Sequence, residues 1–387
     1  MKIAGLFSPW LLAHRPSGLD FANLYTDARG LTGSEYGVSR ICEELVKLGH
    51  EVDLFTVTSD TEWHGVKLHK FDDPKKTTGG YDTAISWLIP DELRGVDARF
   101  KSTIFWNNNF TFCKVGFEEH CDLFISPSES HRQMALNVWR DVQDTPMGPL
   151  GKYVADPDKW IWLPLGCDPG QYGKQAKIPG RVIYCSSPDR GLHHLLAEWP
   201  SIRAAVPHAT LHVFYRLQPW IDQILQVPEN FEPMRAIRER ALAVSKILPH
   251  AAELGITIRD AVSREQIEIE QSKAEILAYP CDTTQWSEGW SCSTHEGCIA
   301  KACPVITDCD AFGEVYGGVL PMVHLDKSSI AWRGKWRDLV IRALMDPGFR
   351  DEVNARAYAW AAERTWRDTA RLLAESIQSR MAAKAAA

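Results

Sequence analysis

Two glutamates, Glu288 and Glu296, stand eight positions apart in the run Glu-Gly-Trp-Ser-Cys-Ser-Thr-His-Glu, shortly after Tyr279-Pro280. Carboxylates can accept hydrogen bonds from hydroxyl groups or oppose a positive charge that develops as a bond breaks. A second segment, Ser186-Ser187-Pro188-Asp189-Arg190-Gly191, brings two hydroxyls and a guanidinium to the start of a helical pattern. With the helix-terminal amides this composition can clamp a diphosphate, although a capped turn with a surface arginine has the same residues. A third, Gly30-Leu31-Thr32-Gly33-Ser34-Glu35, has glycines that let the backbone approach a phosphate. There Ser34 reads equally well as the N-cap of the helix that follows.

These segments need elements to position them. Lys2 to Phe7 is a short apolar run, Val38, Ile41, Cys42, Leu45 and Val46 recur at helical spacing up to Gly49, and Glu51 to Val57 is again extended. Strand, helix, strand is the building block of a parallel sheet. Further strands are expected at 66–71, 83–88, 103–106, 123–126 and 160–165. A second series opens after the Gly-, Pro- and Lys-rich stretch 170–180, with strands at 181–186, 210–215, 256–260, 276–279 and 305–307. From Ile330 onward the pattern is almost wholly helical. The expected fold class is α/β: two Rossmann-like doubly wound domains facing a cleft, over residues 1–172 and 173–350, with C-terminal helices over 351–387 packing back on the first domain. In such sheets ligands bind beyond the carboxyl ends of the strands, which places Glu288 in a loop at a strand end and Glu296 in the next helix, both toward one pocket.

Composition removes several alternatives. The 387 residues carry 43 Lys and Arg against 50 Asp and Glu, a net charge of −7, which excludes a protein that coats nucleic acid. The ten cysteines contain no C-x-x-C pair and the 13 histidines no H-E-x-x-H, so free buried thiols and no structural metal are expected. No G-x-G-x-x-G follows the first strand and no G-x-x-x-x-G-K-[ST] occurs, which counts against dinucleotide and P-loop sites. No run approaches the roughly 18 apolar residues of a membrane span, and the N-terminal strand lacks the apolar region of a signal peptide, so a cytoplasmic protein is expected.

The passage Tyr279 to Thr307 resembles the signature of retaining nucleotide-sugar glycosyltransferases of the GT-B fold, family four in particular. Pro280, Glu288-Gly289-Trp290-Ser291, Glu296, Ala300, Ala302 and Pro304-Val305-Ile306 follow that pattern in order and spacing. Gly33, Glu35 and Gly49-His50-Glu51-Val52, then Pro164-Leu165-Gly166-Cys167-Asp168, Arg190-Gly191 and Glu363-Arg364-Thr365-Trp366 are similar to the family's other motifs, so the resemblance covers most of the chain. It implies a metal-independent, cofactor-free transferase that takes a sugar from a UDP or GDP donor, with retention, to a glycan, lipid-linked or small-molecule acceptor. Cytoplasmic placement extending to peripheral association with the inner membrane face goes with it.

On that resemblance Glu288 sits near the transferred sugar as the catalytic carboxylate and Glu296 accepts from the ribose hydroxyls. Arg190 neutralises the leaving diphosphate, with Ser186, Ser187, Gly33, Ser34, Gly289 and Trp290 completing the donor side. Trp106, Asn107 and Asn108 stand where the family often has a histidine near the sugar. The chain departs from the pattern there, in Trp290 and Ser291 for Phe and Gly, and in a missing basic residue around Tyr184-Cys185-Ser186, for which Arg216 and Arg264 are candidate substitutes. Trp10, Trp87, Trp106, Trp286 and Trp290, at loops and strand ends, are candidates for stacking on a sugar or base. Two other readings remain open: a catalytically silent nucleotide-sugar-binding or scaffold relative, and an epimerase or dehydrogenase on a related fold.

Overall fold

The computed structural model describes residues 1–7, 18–58, 60–71, 80–87, 89–94, 102–106, 116–137, 144–145, 148–149 and 156–386. The chain forms two compact units: unit 1 comprises Met1–Leu24, Thr32–Gly166 and Arg364–Ala387, and unit 2 comprises Tyr25–Leu31 and Cys167–Glu363.

In unit 1 the elements are β1 (Lys2–Phe7), α1 (Gly33–Lys47), β2 (Glu51–Thr56), β3 (Thr61–Trp63), β4 (Val66–Lys70), β5 (Thr83–Trp87), β6 (Ser102–Trp106), β7 (Leu123–Ser126), α2 (Glu129–Asn137), the short pair β8 (Asp144–Thr145) and β9 (Gly148–Pro149), and β10 (Trp160–Trp162). Eight strands form one sheet in the order β10-β7-β6-β5-β1-β2-β4-β3, parallel except for β3. The apolar runs that read as strands are buried almost throughout, as parallel strands require. Thr32, not Ser34, caps α1: its hydroxyl accepts from the Glu35 amide at 3.3 Å while the Glu35 carboxylate accepts from the Thr32 amide at 2.7 Å. This reciprocal capping box assigns Glu35 to the helix start and leaves Ser34 in the first turn.

Unit 2 contains β11 (Arg181–Tyr184), α3 (Leu192–Ala205), β12 (Thr210–Phe214), α4 (Leu217–Gln226), α5 (Arg235–Ser245), β13 (Ile256–Arg259), α6 (Arg264–Lys273), β14 (Ile276–Tyr279), α7 (Cys292–Ile299), β15 (Pro304–Thr307), α8 (Phe312–Tyr316), β16 (Met322–Val323), α9 (Ala331–Met345) and α10 (Pro347–Ala362). Its six strands are all parallel, in the order β13-β12-β11-β14-β15-β16. The first and fourth strands of the unit are therefore neighbours, and the chain leaves them in opposite directions, which opens a crevice at their carboxyl ends. In unit 1 the equivalent neighbours are β1 and β5.

The last helix, α11 (Trp366–Ala386), packs on α1 in unit 1, with the Trp366 ring edge-on to Tyr36 at 5.9 Å. The boundaries differ from those read in the sequence. Gly166 lies against the Trp366 backbone, whereas the Cys167 thiol is already engaged within unit 2 by His295 Nε2 at 3.3 Å and the Ala361 carbonyl at 3.7 Å, so the crossing falls at 166 rather than 172. Helix α10 packs on α7 and α9, so the returning segment starts at Arg364 and not at 351. Tyr25–Leu31 also counts with unit 2, where the Tyr25 carbonyl accepts from the Glu265 amide at 3.1 Å and Gly30 abuts the Val262 carbonyl. Among the described residues no helix is long and apolar enough to cross a membrane.

Candidate functional site

The crevice between β11 and β14 is lined by the two loops that carry Arg190 and Glu288. They touch at Gly191, which has φ +109° and caps α3; a Cβ there would lie 2.0 Å from the Pro280 carbonyl oxygen, so only glycine fits. Both strands end in tyrosine. The Tyr184 hydroxyl donates to the Ser187 carbonyl at 2.7 Å and holds the first loop. The Tyr279 hydroxyl accepts from Ser186 Oγ at 2.9 Å and donates to Glu288 Oε1 at 3.1 Å, linking the two loops.

Arg190 donates through Nη1 to the same Glu288 oxygen. The Glu288 side chain is 2% exposed and that of Arg190 30%, so the carboxylate is sealed in while the arginine is half-buried. Burial pushes the Glu288 carboxyl above its usual range, against the pull of Arg190 and Tyr279. Burial works most strongly against charge on Arg190, but Glu288 together with Tyr279, Asp189 and Cys281 holds the guanidinium above the ordinary arginine value. Asp310, just past β15, fixes the far end of the second loop: one oxygen accepts from the Ser287 and Glu288 amides, both at 2.9 Å, and from the Thr283 hydroxyl at 2.9 Å.

Glu296 belongs to a neighbouring web built on α6 and α7. Ser291 caps α7 by accepting from the Thr294 amide at 3.1 Å, which starts the helix in time to turn Glu296 inward. Its carboxylate meets Arg264 Nη1 at 2.7 Å and accepts from Gln271 Nε2 at 3.2 Å. Arg264 also donates to Glu268 at 2.7 Å and to the Tyr172 hydroxyl. Lys177 ties the C-termini of α6 and α7 together, donating to the Ala274 and Ala300 carbonyls, both at 2.7 Å. Its burial pulls its pKa down to about 7.

The structure thus joins Arg190 to Glu288 directly and Ser186 to Glu288 through the Tyr279 hydroxyl, and gives Glu296 a cation of its own. Cys292 lies in the field of both glutamates, and burial together with those charges pushes its thiol up to about 12. Ser187 bonds to Asp189 within its own loop. Gly289 is buried beside Glu288. The Trp290 ring packs among Trp360, His295 and Tyr316, with centroids 6.0, 5.7 and 6.3 Å away. That ring is half-buried and packs against the core of unit 2. Trp87 is core, 1% exposed, and Trp286 packs against the core of unit 2. Gly33 and Ser34 form the first turn of α1 in unit 1. Trp106 ends β6, and Trp10, Asn107 and Asn108 lie outside the described residues. Of the substitutes for the missing basic residue, Arg264 is committed to Glu296, Glu268 and Tyr172, whereas Arg216 is exposed at the carboxyl end of β12. Tyr279, Gln271, Arg240 and Asp310 were not legible as site residues, because their partners lie 9 to 51 positions away without a motif.

No protein-family model matches the sequence, and no curated protein matches it. Solved structures do. Sucrose-phosphate synthase from Thermosynechococcus elongatus superposes with a TM-score of 0.68 at 12% identity, over 99% of this chain and 100% of that one. Anabaena HepE in complex with UDP and glucose gives 0.64 at 14% identity over 98% and 100%, and AviGT4, a glycosyltransferase involved in avilamycin A biosynthesis, gives 0.63 at 15% over 99% and 98%. The chain has the GT-B fold. The likeness read from the sequence motifs therefore holds at the level of fold, and unit 2 contributes the second of the two Rossmann-like domains.

Proposed function

We propose that the protein is a glycosyltransferase that binds a nucleotide diphosphate sugar on unit 2 and transfers the sugar with retention, without a metal. The observation that carries this reading is the Arg190–Glu288 pair spanning the two loops at the β11/β14 crevice, a buried carboxylate joined to a half-buried arginine beside the start of α3. Arg190 and the first amides of α3 supply positive charge where a diphosphate leaves, the electrostatic work a metal ion performs in other transferases. Glu288, held by Tyr279 and the Asp310-anchored amides, is set to oppose positive charge on the sugar, and Glu296, oriented by Arg264 and Gln271, to accept from ribose hydroxyls. HepE, one of the similar structures, is a complex with UDP, which makes UDP the first nucleotide to test and GDP the second.

The acceptor in this proposal is a glycan, a lipid-linked or a small molecule, met in the cytoplasm or at its membrane face. Incubation with a panel of UDP- and GDP-sugars tests the reading. Slow release of free sugar from one donor, abolished in Glu296→Ala, is expected. Donor binding with no release of sugar would convert the reading to that of a silent binder, and absence of both would refute it.

A further inference from the structure

Arg240 lies in α5, outside every motif, yet it reaches both loops of the crevice. Its Nη1 donates to the Asp189 and Asp282 carbonyls, and its Nη2 to the Asp282 carboxylate at 3.0 Å. The side chains of Arg240 and Asp282 are only 12% and 15% exposed. His194 Nε2 meets the same Asp282 oxygen at 2.9 Å. A planar fork with five donors in fixed geometry can hold two carbonyls and a carboxylate at once.

His193, His194 and Asp282 bring potential ligand atoms within 4.8 Å of one another, the grouping expected of a metal site. The charges around it point elsewhere. Burial, Arg240 and Arg333 all disfavour positive charge on both histidines, and Arg240 already occupies the carboxylate. Two guanidiniums beside the cluster oppose a divalent cation, whereas they suit a clasp centred on Asp282.

We propose that Arg240 is a positioning residue that fastens the Arg190 loop to the Glu288 loop. It holds the carbonyl of Asp189, the residue immediately before Arg190, and the start of the segment that leads to Glu288. With both ends fixed, the Arg190–Glu288 pair is preorganised for the diphosphate of a donor, and this role rests on the nucleotide-sugar reading above. The opposite end of the second loop is fixed separately, by Asp310 at the Ser287 and Glu288 amides, while Lys327 donates to the Thr283 carbonyl at 2.8 Å next to Asp282.

The same helix supplies a control. Arg238 makes an equivalent clamp, to the Leu225 and Val227 carbonyls at 2.6 and 3.0 Å and to Glu229 at 2.9 Å, away from the crevice loops. Hydrogen exchange and UDP or GDP calorimetry are compared in the wild type, Arg240→Ala, Arg240→Lys and Arg238→Ala. Exchange in residues 186–191 and 282–288 is expected to rise about tenfold or more in Arg240→Ala and less in Arg240→Lys, with nucleotide affinity falling about tenfold in the former. Arg238→Ala is expected to loosen only residues 225–229 and to leave affinity within about twofold, below the effect of one hydrogen bond.

Unchanged exchange in the two loops of Arg240→Ala would overturn the clasp. Loosened loops with unchanged affinity, or equal effects from Arg238→Ala, would overturn the positioning role. If Arg240→Ala does not fold, Arg240→Lys and Asp282→Asn decide by the same criteria. If the wild type binds neither nucleotide, the nucleotide reading and with it the positioning role fail, while exchange still reports whether the clasp exists.

Discussion

The two sheets meet the same topological situation with different residues. In unit 1 the neighbouring strands β1 and β5 end in Phe7 and Trp87, paired in register and each 1% exposed. In unit 2 the corresponding strands β11 and β14 end in Tyr184 and Tyr279, whose rings pack edge to face at 5.8 Å. The ring bodies fill the core in both units. Only in unit 2 does each ring carry a hydroxyl that fastens a loop, Tyr184 to Ser187 and Tyr279 to Ser186 and Glu288. Parallel-sheet topology makes a crevice, and in unit 2 polar tips on buried aromatics fix the loops and the Glu288 carboxylate beside it.

Removing the cation should do the greatest damage. Arg190→Ala is expected to lower kcat/KM for the donor about 10²- to 10³-fold, since on the proposed function it deletes the charge that would meet the leaving diphosphate, and it leaves Glu288 buried without its cationic partner. Steady-state kinetics with the donor identified in the sugar panel measures it, and a loss under threefold would break the distinction drawn between the two crevices.

Next comes backbone contact. Gly191→Ala forces a side chain into a left-handed conformation against the Pro280 carbonyl and should destabilise the fold by about 1–3 kcal/mol, seen as a lower Tm. An unchanged Tm would mean that the loops do not abut. Tyr279→Phe makes unit 2 resemble unit 1 at one atom. It should reduce donor kcat/KM about tenfold or more, since it removes the hydroxyl's two hydrogen bonds, from Ser186 and to Glu288, with only a small change in Tm.

The smallest expected effect sharpens the comparison through pH. Lys177 has its pKa pulled below the unfolded value, to about 7, so the folded state binds fewer protons than the unfolded state between about pH 7 and the unfolded lysine value. Its contribution to stability therefore grows as pH rises through that window. Wild type minus Lys177→Met should show a Tm difference that becomes more positive from pH 7 to 10; a flat difference would show that Lys177 is not buried as a cap of α6 and α7.

Much of this was legible in the sequence because it depends on local pattern. Apolar runs at Lys2, Arg181 and Ile276 gave strands, and the Arg190-Gly191 and Glu288-to-Glu296 segments fell at the strand ends that α/β topology uses. The helix cap shifted from Ser34 to Thr32 because a reciprocal bond with Glu35 outcompetes a single hydroxyl cap. Trp290 read as a site aromatic, yet its ring joins Trp360, Tyr316 and His295, neighbours that only tertiary packing supplies. Arg240 and Asp310 carried no signal, since carbonyls and amides contributed by distant loops have no sequence signature. The strands at 61–63 and 322–323 are too short for periodicity to register.

Calorimetric titration of UDP, and of GDP in parallel, into the wild type and Arg190→Ala tests the assignment of the β11/β14 crevice most directly. Saturable binding of one nucleotide to the wild type, weakened at least about 30-fold in Arg190→Ala, is the expected result for a lost charge-assisted contact. Equal affinity in the two proteins, or no binding of either nucleotide to the wild type, would contradict it.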